Sequence, residues 1–222
     1  MTIDDVLRIS QGVALTTLND TVRATDAPDE DAAAERRRLR RHLLARRQAL
    51  PKEEWRRLSA AVCAHLRTGF PQLASACLAF CWPHRQEVDV RPLIVEWWQA
   101  ARPGFCAALP VVVEAGEALA FRRWTPATPL LADRYGIPTP AEGDFVTPTA
   151  LLIPLNGFDA AGYRLGYGGG YFDRTLAGWP PPRPQALGVG FELSRLPAFP
   201  HAAHDQPLDA LITEAGVFRP RQ

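Results

Sequence analysis

Leucine side chains recur at helical spacing along one basic segment of this sequence. They do so between residues 31 and 49, and Pro51, which cannot continue a helix, ends the predicted helix. A second helix is predicted from residue 52 to about residue 68, where apolar side chains share one face and Gly69 and Pro71 follow. The pattern therefore predicts two consecutive helices.

Short apolar runs alternate with helical or turn segments through the rest of the chain. Helices are predicted near residues 91–101 and after Gly170, and a proline-rich joint at residues 136–144 is interpreted as a loop. Strands are predicted in ACLAFCW (76–82), FCAALPVVV (105–113), ALAFRRW (118–124), ALLIPLN (150–156), ALGVGFE (186–192) and DALIT (209–213). Interleaved strands and helices predict an α/β fold, a mostly parallel sheet layered with helices. Ligands bind beyond the carboxyl ends of such strands, so the residues just after 82 and 156 are the first candidates for a site.

The first 34 residues differ in composition from the rest. They carry seven acids against two arginines, and the stretch from about residue 20 holds no aromatic side chain. A segment that buries little apolar surface cannot offset the entropy lost on ordering it. We therefore predict a mobile acidic arm over residues 1–34 and one α/β domain over residues 35–222.

The overall composition, 47% hydrophobic and 22% charged, is that of an ordinary globular protein. No apolar run approaches the roughly 18 residues of a membrane span, and the first residues lack the pattern of a signal peptide. We therefore expect a soluble, cytoplasmic protein with no membrane partner. Cys63, Cys77, Cys81 and Cys106 lack CxxC spacing, so buried reduced thiols are expected rather than a disulfide framework or a zinc site.

Positive charge is concentrated in one segment. Residues 35–58 carry ten basic residues and three acids, although the net charge of the chain is only +1. Such a segment either meets an anion or forms an arginine-rich solvated helix face. Lys52 is the single lysine beside twenty-four arginines, so a cation that binds phosphate here is expected to be an arginine. The low overall charge and the lack of a recognised binding module argue against a nucleic-acid partner.

The most informative stretch is RLGYGGGYFDR, residues 164–174, which follows a predicted strand. Its four glycines are Gly166, Gly168, Gly169 and Gly170. Glycine lets the backbone approach a ligand closely, so successive N–H groups can point at phosphate oxygens. The spacing matches neither a Walker A loop nor a dinucleotide fingerprint. A flexible linker would have no use for the aromatic residues and the Arg/Asp pair that frame these glycines. Arg164 could neutralise phosphate and Asp173 could hold Mg²⁺, so anion binding is predicted.

This stretch closely resembles the RLGxGxGYYD signature of the 5-formyltetrahydrofolate cyclo-ligase (5,10-methenyltetrahydrofolate synthetase) family. The flanking segments resemble that family in the same order: RRRLRRHL (36–43), HRQEVDVRPLI (84–94), YGIPTP (135–140), LLIPLNGFDAAG (151–162), LGVGFE (187–192) and HDQPLDALITE (204–214). The resemblance covers about residues 35–217. It implies a NagB/RpiA/CoA-transferase-like form of the α/β fold.

The resemblance implies an ATP site built from the basic helix and the glycine loop. In the helix it implies phosphate contacts by Arg36, Arg37, Arg38, Leu39 and Arg40. In the loop it implies contacts by Arg164, Leu165, Gly166, Tyr167, Gly168, Gly169, Gly170, Tyr171 and Phe172. Arg36 stands where the family usually has a lysine, and Phe172 replaces the family's second tyrosine, so that hydroxyl is absent. Arg164 and Tyr171 are the implied catalytic residues.

The same resemblance places the folate and the metal ion. It implies folate contacts by Trp82, whose flat ring can stack on a pterin, and by Glu87, whose carboxylate can accept its hydrogen bonds. It also implies that the folate shares part of the loop, namely Tyr167, Gly168, Gly169, Gly170 and Tyr171. The implied Mg²⁺ ligands are Asp173 and Asp205. The spacing of His201 and His204 gives only a weak signal of a transition-metal site.

The reaction implied by the resemblance depends on ATP. The formyl oxygen of 5-formyltetrahydrofolate attacks the γ-phosphate, N10 attacks the formyl carbon, and loss of phosphate gives 5,10-methenyltetrahydrofolate. Such a phosphoryl transfer needs positioning and charge neutralisation more than a protein nucleophile. A catalytically reduced paralogue that binds folate or nucleotide is the alternative left open by Arg36 and Phe172. The expected partners are the folate and the nucleotide, and the expected state is a monomer or weak oligomer.

Overall fold

The computed structural model describes residues 27–220, which fall into two units, residues 27–38 and residues 39–220. The predicted arm covers residues 1–34. Its first 26 residues lie outside the described part of the chain, and residues 27–34 are helical. The arm and the boundary after residue 34 therefore stay predictions. None of the helices within residues 27–220 is long and apolar enough to cross a membrane.

Helices occupy the segments for which apolar spacing predicted them. They are α1 (Ala27–Gln48), α2 (Lys52–Gly69), α3 (Arg91–Gln99) and α4 (Tyr171–Ala177), with 3₁₀ turns at Pro71–Ser75 and Glu192–Ser194. The first helix begins four residues before the predicted start and ends just ahead of Pro51. In α2, Glu53 and Glu54 lie in the first turn and Arg67 lies in the last, which complements the helix dipole.

The strands, in chain order, are β1 (Cys77–Ala79), β2 (Cys106–Val111), β3 (Ala120–Trp124), β4 (Leu130–Ala132), β5 (Pro138–Pro140), β6 (Ala150–Pro154), β7 (Gly157–Phe158), β8 (Arg164–Leu165), β9 (Gln185–Val189), β10 (Ala210–Thr213) and β11 (Gly216–Phe218). Within residues 27–220, seven of them form one sheet in the order β11-β10-β9-β6-β1-β2-β3. The five strands from β10 to β2 are parallel, and β11 and β3 are antiparallel edges. The predicted α/β fold with a mostly parallel sheet is confirmed.

Two short antiparallel pairs lie outside the main sheet. The interpretation of residues 136–144 as a loop is wrong at Pro138–Pro140, because these residues form β5 and pair with β4. Prolines are tolerated there because this small ribbon has open edges, where a missing N–H donor costs no ladder hydrogen bond. The second pair, β7 and β8, turns the chain back after β6 and delivers residues 164–170 to the carboxyl end of the sheet.

Helices cover both faces of the sheet. Because side chains alternate along a strand, Leu78 packs on one face with Leu66 of α2 and Leu93 of α3. On the other face Ala79 packs with Leu176 of α4. The strands between these layers are buried on both faces, which explains why they appear in the sequence as continuous apolar runs.

The chain leaves β1 and β6 in opposite directions along the sheet. β1 leads through α3 to β2 on one side, whereas β6 leads through α4 to β9 on the other. Neighbouring parallel strands with diverging connections open a crevice at their carboxyl ends. Here the crevice lies beyond Ala79 and Pro154, close to the positions that the sequence pattern predicts.

Candidate active site

Three polar side chains form a chain of hydrogen bonds at the carboxyl ends of β1 and β6. Arg47, only 1% exposed, donates to the Tyr167 hydroxyl at 2.5 Å, and that hydroxyl donates to Glu87 Oε1 at 2.8 Å. Arg47 also donates to the carbonyl oxygens of Arg85 and Leu155 at 3.0 and 3.2 Å. Leu155 directly follows β6, while Arg85 and Glu87 follow β1. Arg47 therefore links α1 to the ends of both strands. Glu87 and Tyr167, both predicted to contact folate, are in direct contact.

Glu87 is a buried carboxylate surrounded by donors. Its Oε2 accepts a hydrogen bond from the backbone N–H of His84 at 3.0 Å. Burial raises the pKa of Glu87, while the charge of Arg47 and the hydrogen bonds from His84 and Tyr167 lower it. Burial and the neighbouring Glu87 raise the pKa of Tyr167, so its hydroxyl keeps the proton that it donates. A perturbed carboxylate in a crevice is typical of a functional site.

The turn before Glu87 carries two successive residues with positive φ. Arg85 has φ 49° and Gln86 has φ 57°, in the left-handed region, which costs about 1–3 kcal/mol for each residue of this kind. Neighbouring groups hold the turn in place. The Gln86 side-chain amide donates to Leu50 O at 3.1 Å, and Trp55 Nε1 donates to Glu87 O at 2.8 Å. Local strain held by packing is a further mark of a functional site.

The glycine loop, residues 166–170, lies against Arg40 of α1. Arg40 Nε donates to Gly166 O at 2.9 Å, and Asn156 Nδ2 donates to Arg40 O at 3.3 Å. Gly168 has φ 101°, and a Cβ atom built on it would lie 3.5 Å from the Arg40 guanidinium. That distance is an ordinary contact, so it is the positive φ that would strain any larger residue here. The structure thus brings Arg40 and the glycine loop together, and their contact with ATP stays a prediction.

Arg164 and Asp173 form a buried polar network with the backbone of Gln206, the residue that follows Asp205. Arg164 Nη2 is 2.8 Å from Asp173 Oδ1, and the two side chains are only 5% and 14% exposed. Arg164 donates to Gln206 O at 3.1 Å, and the Gln206 N–H donates to Asp173 Oδ1 at 3.1 Å. Asp205, the preceding residue, accepts from the Ala202 N–H at 2.8 Å. Hydrogen bonds thus join the segment that carries Asp205 to the helix that carries Asp173, the other predicted metal ligand.

The carboxylates in this network suit Mg²⁺ better than a transition metal. Within residues 27–220, no group of three or more His, Cys, Asp or Glu side chains is arranged to hold a metal. Mg²⁺ commonly takes one or two carboxylates, with water and substrate phosphate completing its shell. Asp173 and Asp205 fit that donor set. His201 instead pairs with Asp159 at 2.6 Å.

The aromatic residues that follow the glycine loop have different surroundings. The Tyr171 hydroxyl lies 2.9 Å from the Tyr135 hydroxyl, and this hydrogen bond lowers the pKa of Tyr171. Because Tyr135 lies in the turn between β4 and β5, that ribbon reaches the loop. Phe172 packs against the apolar cluster that contains Leu176.

Trp82 has aromatic and cationic neighbours beside α3. It packs edge-on against Trp124, with ring centroids 6.3 Å apart, and the Arg91 guanidinium lies 4.6 Å from the Trp82 ring centroid. These three residues line a cavity of about 460 Å³ beside α3, which Glu87 and Tyr167 do not line. Contact of Trp82 with a folate stays a prediction.

Arg36, Arg37 and Arg38 lie on α1 in the unit of residues 27–38. Arg38 pairs with Glu35 at 2.6 Å, an exposed ion pair of small energetic effect. Contact of these arginines with a nucleotide stays a prediction.

Arg47 is the site residue that the sequence analysis misses. It lies four residues after Leu43 and seven after Arg40, which places all three on one helix face. Leu43 is 1% exposed and packs with Leu165 and Phe199. If Leu43 is taken to mark the buried face of the helix, the spacing could have shown that Arg40 and Arg47 lie on that face, unlike other arginines of this basic run.

Comparison with known proteins agrees with the resemblance. A model of the 5-formyltetrahydrofolate cyclo-ligase family matches residues 32–214. The 5-formyltetrahydrofolate cyclo-ligase of Escherichia coli strain K12 is 31% identical over 180 residues, which are 78% of this chain and 97% of that protein. The protein of the same name from Haemophilus influenzae is 26% identical over 183 residues, covering 80% and 97%.

Solved structures give the same result. The NMR structure of 5,10-methenyltetrahydrofolate synthetase from Aquifex aeolicus matches with a TM-score of 0.71 and 34% identity, covering 84% of this chain and 93% of that one. The synthetase from Mycoplasma pneumoniae matches with a TM-score of 0.65 over 81% and 99%, and at 23% identity it supports the fold alone. The chain belongs to the 5-formyltetrahydrofolate cyclo-ligase family, a family of ligases.

Proposed function

We propose that this protein uses ATP to cyclise 5-formyltetrahydrofolate to 5,10-methenyltetrahydrofolate, with release of ADP and phosphate. The observation that carries the proposal is the hydrogen-bonded chain Arg47–Tyr167–Glu87, which joins the glycine loop to the carboxyl ends of the sheet. Family membership supports the choice of a folate substrate. We further propose a cytoplasmic enzyme, monomeric or weakly oligomeric, with small-molecule partners.

The folate is proposed to bind at Glu87. Each of its carboxylate oxygens accepts one hydrogen bond in the structure, from the Tyr167 hydroxyl and from the His84 N–H. A carboxylate oxygen can accept a second bond, so Glu87 can also receive the N–H groups of a pterin. Arg47 favours the ionised carboxylate, and Tyr167 holds it in place. These contacts would orient the formyl group towards the glycine loop.

The phosphates of ATP are proposed to lie against the glycine loop and Arg40. Backbone N–H groups and an arginine are suitable donors for phosphate oxygens. Asp173 and Asp205 would hold Mg²⁺, which would neutralise phosphate charge when bound. Arg164, buried against Asp173, would keep that carboxylate in position.

Orientation is proposed to supply most of the rate. An amide-type formyl oxygen is a poor nucleophile, so its alignment with the γ-phosphate matters more than a protein nucleophile. Glu87 and Tyr167 would position the pterin while Arg40 and the loop position the phosphate. ADP leaves as the γ-phosphoryl group passes to the formyl oxygen. N10 then attacks the formyl carbon, the bond between that carbon and the phosphorylated oxygen breaks, and phosphate leaves together with the N10 proton.

The test is an assay of the purified full chain with 5-formyltetrahydrofolate. We expect methenyl product only when ATP is present, with ADP and phosphate formed in equal amounts. Tyr167→Phe should lower kcat/KM for the folate at least about tenfold, a loss of about 1.4 kcal/mol of transition-state stabilisation. Tyr163→Phe, outside the proposed contacts, is the matched control. Binding of both ligands without turnover would favour the reduced paralogue, and failure to bind either would contradict both readings.

Magnesium titration at fixed ATP tests the metal ligands separately. Asp205→Asn should raise the Mg²⁺ concentration that gives half-maximal activity, because one anionic ligand is lost. Asp173→Asn should do the same, and the exposed Asp144→Asn should not. The assignment is wrong if the Asp173 and Asp205 variants both keep the wild-type curve.

A further inference from the structure

Two cysteines begin neighbouring strands at the end of the sheet opposite the candidate site. Cys77 is the first residue of β1, Cys106 is the first residue of β2, and the two are register partners in this parallel pair. The Cys106 N–H donates to Ala76 O at 3.0 Å, and the Thr149 N–H donates to Cys77 O at 2.8 Å. Backbone hydrogen bonds therefore hold the cysteines side by side.

The two thiols also lie on the same face of the sheet. Ala79 and Ala108, each two residues further along, pack in one core cluster, so the side chains of Cys77 and Cys106 project to that face as well. Neighbouring strands lie about 4.7–4.9 Å apart. That separation falls within the Cα distances of about 4.4–6.8 Å found across disulfides. Because the two residues are register partners on one face of the sheet, their side chains lie side by side.

The surroundings favour a thiolate at Cys106 and at none of the other cysteines, and the pKa of its neighbour Cys77 is raised. The adjacent Cys77 thiol and the charge of Arg123 lower the pKa of Cys106 to about 7. Arg123 is the register partner of Ala108, which places it on the same face. Burial raises the pKa of Cys63 to about 12 and also raises that of Cys81. The thiolate is the reactive form of cysteine, so oxidation should select this pair.

We propose that Cys77 and Cys106 are a modification site, a dithiol that a hydroperoxide oxidises to an intrachain disulfide. The Cys106 thiolate attacks a peroxide oxygen, an S–O bond forms, the O–O bond breaks, and water or an alcohol leaves. The Cys77 sulfur then attacks the sulfenic sulfur of Cys106. The S–S bond forms, the S–O bond breaks, and hydroxide leaves with the thiol proton as water. The hydroperoxide is reduced by two electrons, and a dithiol reductant can return them to the protein.

Peptide mapping of the full chain tests the proposal. Cys77 and Cys81 share the tryptic peptide of residues 68–85, so the mapping uses Cys81→Ser. The protein is treated with hydrogen peroxide, remaining thiols are blocked with N-ethylmaleimide, and the digest is analysed by mass spectrometry. We expect that peptide joined to the one with Cys106, two hydrogen atoms lighter than the separate peptides, and released by dithiothreitol. Sulfinic acid at Cys106 without a link, or a link only between two chains, would overturn the proposal.

Variants test the order of events. In Cys77→Ser the sulfenic acid of Cys106 has no partner thiol, so its labelling by dimedone should rise several-fold over wild type. Cys63→Ser is the matched control and should oxidise as wild type does. Equal oxidation of Cys63 and Cys106 would overturn the selectivity. If Cys81→Ser fails to fold, fragmentation of the linked wild-type peptides still distinguishes Cys77 from Cys81, so the link stays testable.

Discussion

At the scale of residues, the polar groups of the site depend on one another. Arg47 and Glu87 are both buried, and Tyr167 bridges them. Removing one member of a buried charged network leaves the other desolvated and unpaired, which typically costs about 3–5 kcal/mol. The three residues should therefore act as a unit, and the effects of single substitutions on the free energy of unfolding should not add.

Glu87→Gln should change how stability depends on pH. Burial raises the pKa of Glu87 above its ordinary value of 4.5, so the folded state holds that proton more tightly than the unfolded chain. The associated stability is full below pH 4.5 and is lost as pH rises through the folded-state pKa. Wild type should therefore lose stability relative to Glu87→Gln as pH rises above 4.5. Urea unfolding at several pH values measures this difference, with the exposed Glu117→Gln as control. Parallel curves for wild type and Glu87→Gln would contradict the prediction.

At the scale of elements, the glycine loop and the β7–β8 hairpin before it place site residues at the carboxyl end of the sheet. β8 brings Arg164 beside Asp173 of α4, and the intervening glycines pass next to Arg40. These three side chains of the predicted site are thus positioned by α1 and by two elements, β8 and α4, that are only two and seven residues long.

Gly169→Val should impair the use of ATP more than it impairs folding. A Cβ atom at Gly169 would lie 2.9 Å from the Tyr171 ring, so the ring must shift and the loop changes shape. Gly169 does not have positive φ, so its backbone tolerates a side chain. We expect KM for ATP to rise at least about tenfold, while the melting temperature falls by less than about 4 °C. Gly69→Ala, outside the loop, controls for a general effect of losing a glycine. Full activity in Gly169→Val would remove the loop from the site.

Asp173→Asn should destabilise the protein more than Asp205→Asn does. The first breaks a buried ion pair with Arg164, which should cost about 3 kcal/mol of unfolding free energy. An asparagine at position 205 can still accept the hydrogen bond from Ala202, so the loss there should be about 1 kcal/mol or less. Chemical denaturation of both variants, without magnesium, measures the difference. Equal losses would show that the ion pair contributes little.

At the scale of the whole molecule, the candidate site lies where the connections from two neighbouring parallel strands diverge. The connections from β1 and β6 diverge, and Arg47 contacts the residues that follow both strands. The dithiol of Cys77 and Cys106 lies at the other end of the same sheet, so its oxidation and the proposed ligation use separate ends of β1.

Removal of residues 1–26 should leave folding and turnover nearly unchanged. The family match begins at residue 32, and the acidic composition before it favours little burial. We expect the melting temperature to stay within about 2 °C and kcat to stay within about twofold of wild type. Calorimetry and the ATP-dependent assay on the shortened chain measure both. A large loss of either would show that this segment contributes to the folded enzyme.

The sequence by itself determined the four helices, six of the eleven strands within residues 27–220, and the family of this protein. Helical spacing before Pro51 and apolar runs such as residues 150–156 are local side-chain patterns. They favour a helix or a strand whatever the tertiary structure around them. The glycine loop is similarly local, since Arg164 to Asp173 is one continuous motif. Local information failed where a proline-containing segment, Pro138–Pro140, pairs with a strand that approaches it by a turn.

Only the tertiary structure decided which of these residues meet. Arg47 and Tyr167 lie 120 positions apart, and no local pattern states that the loop returns to the face of α1 that carries Leu43. The strand order likewise decided that Cys77 neighbours Cys106. The physical reason is that long-range pairing is selected by burial and hydrogen bonding over the whole sheet. The partner of a residue therefore depends on distant segments of the chain, and the sequence around that residue carries no information about them.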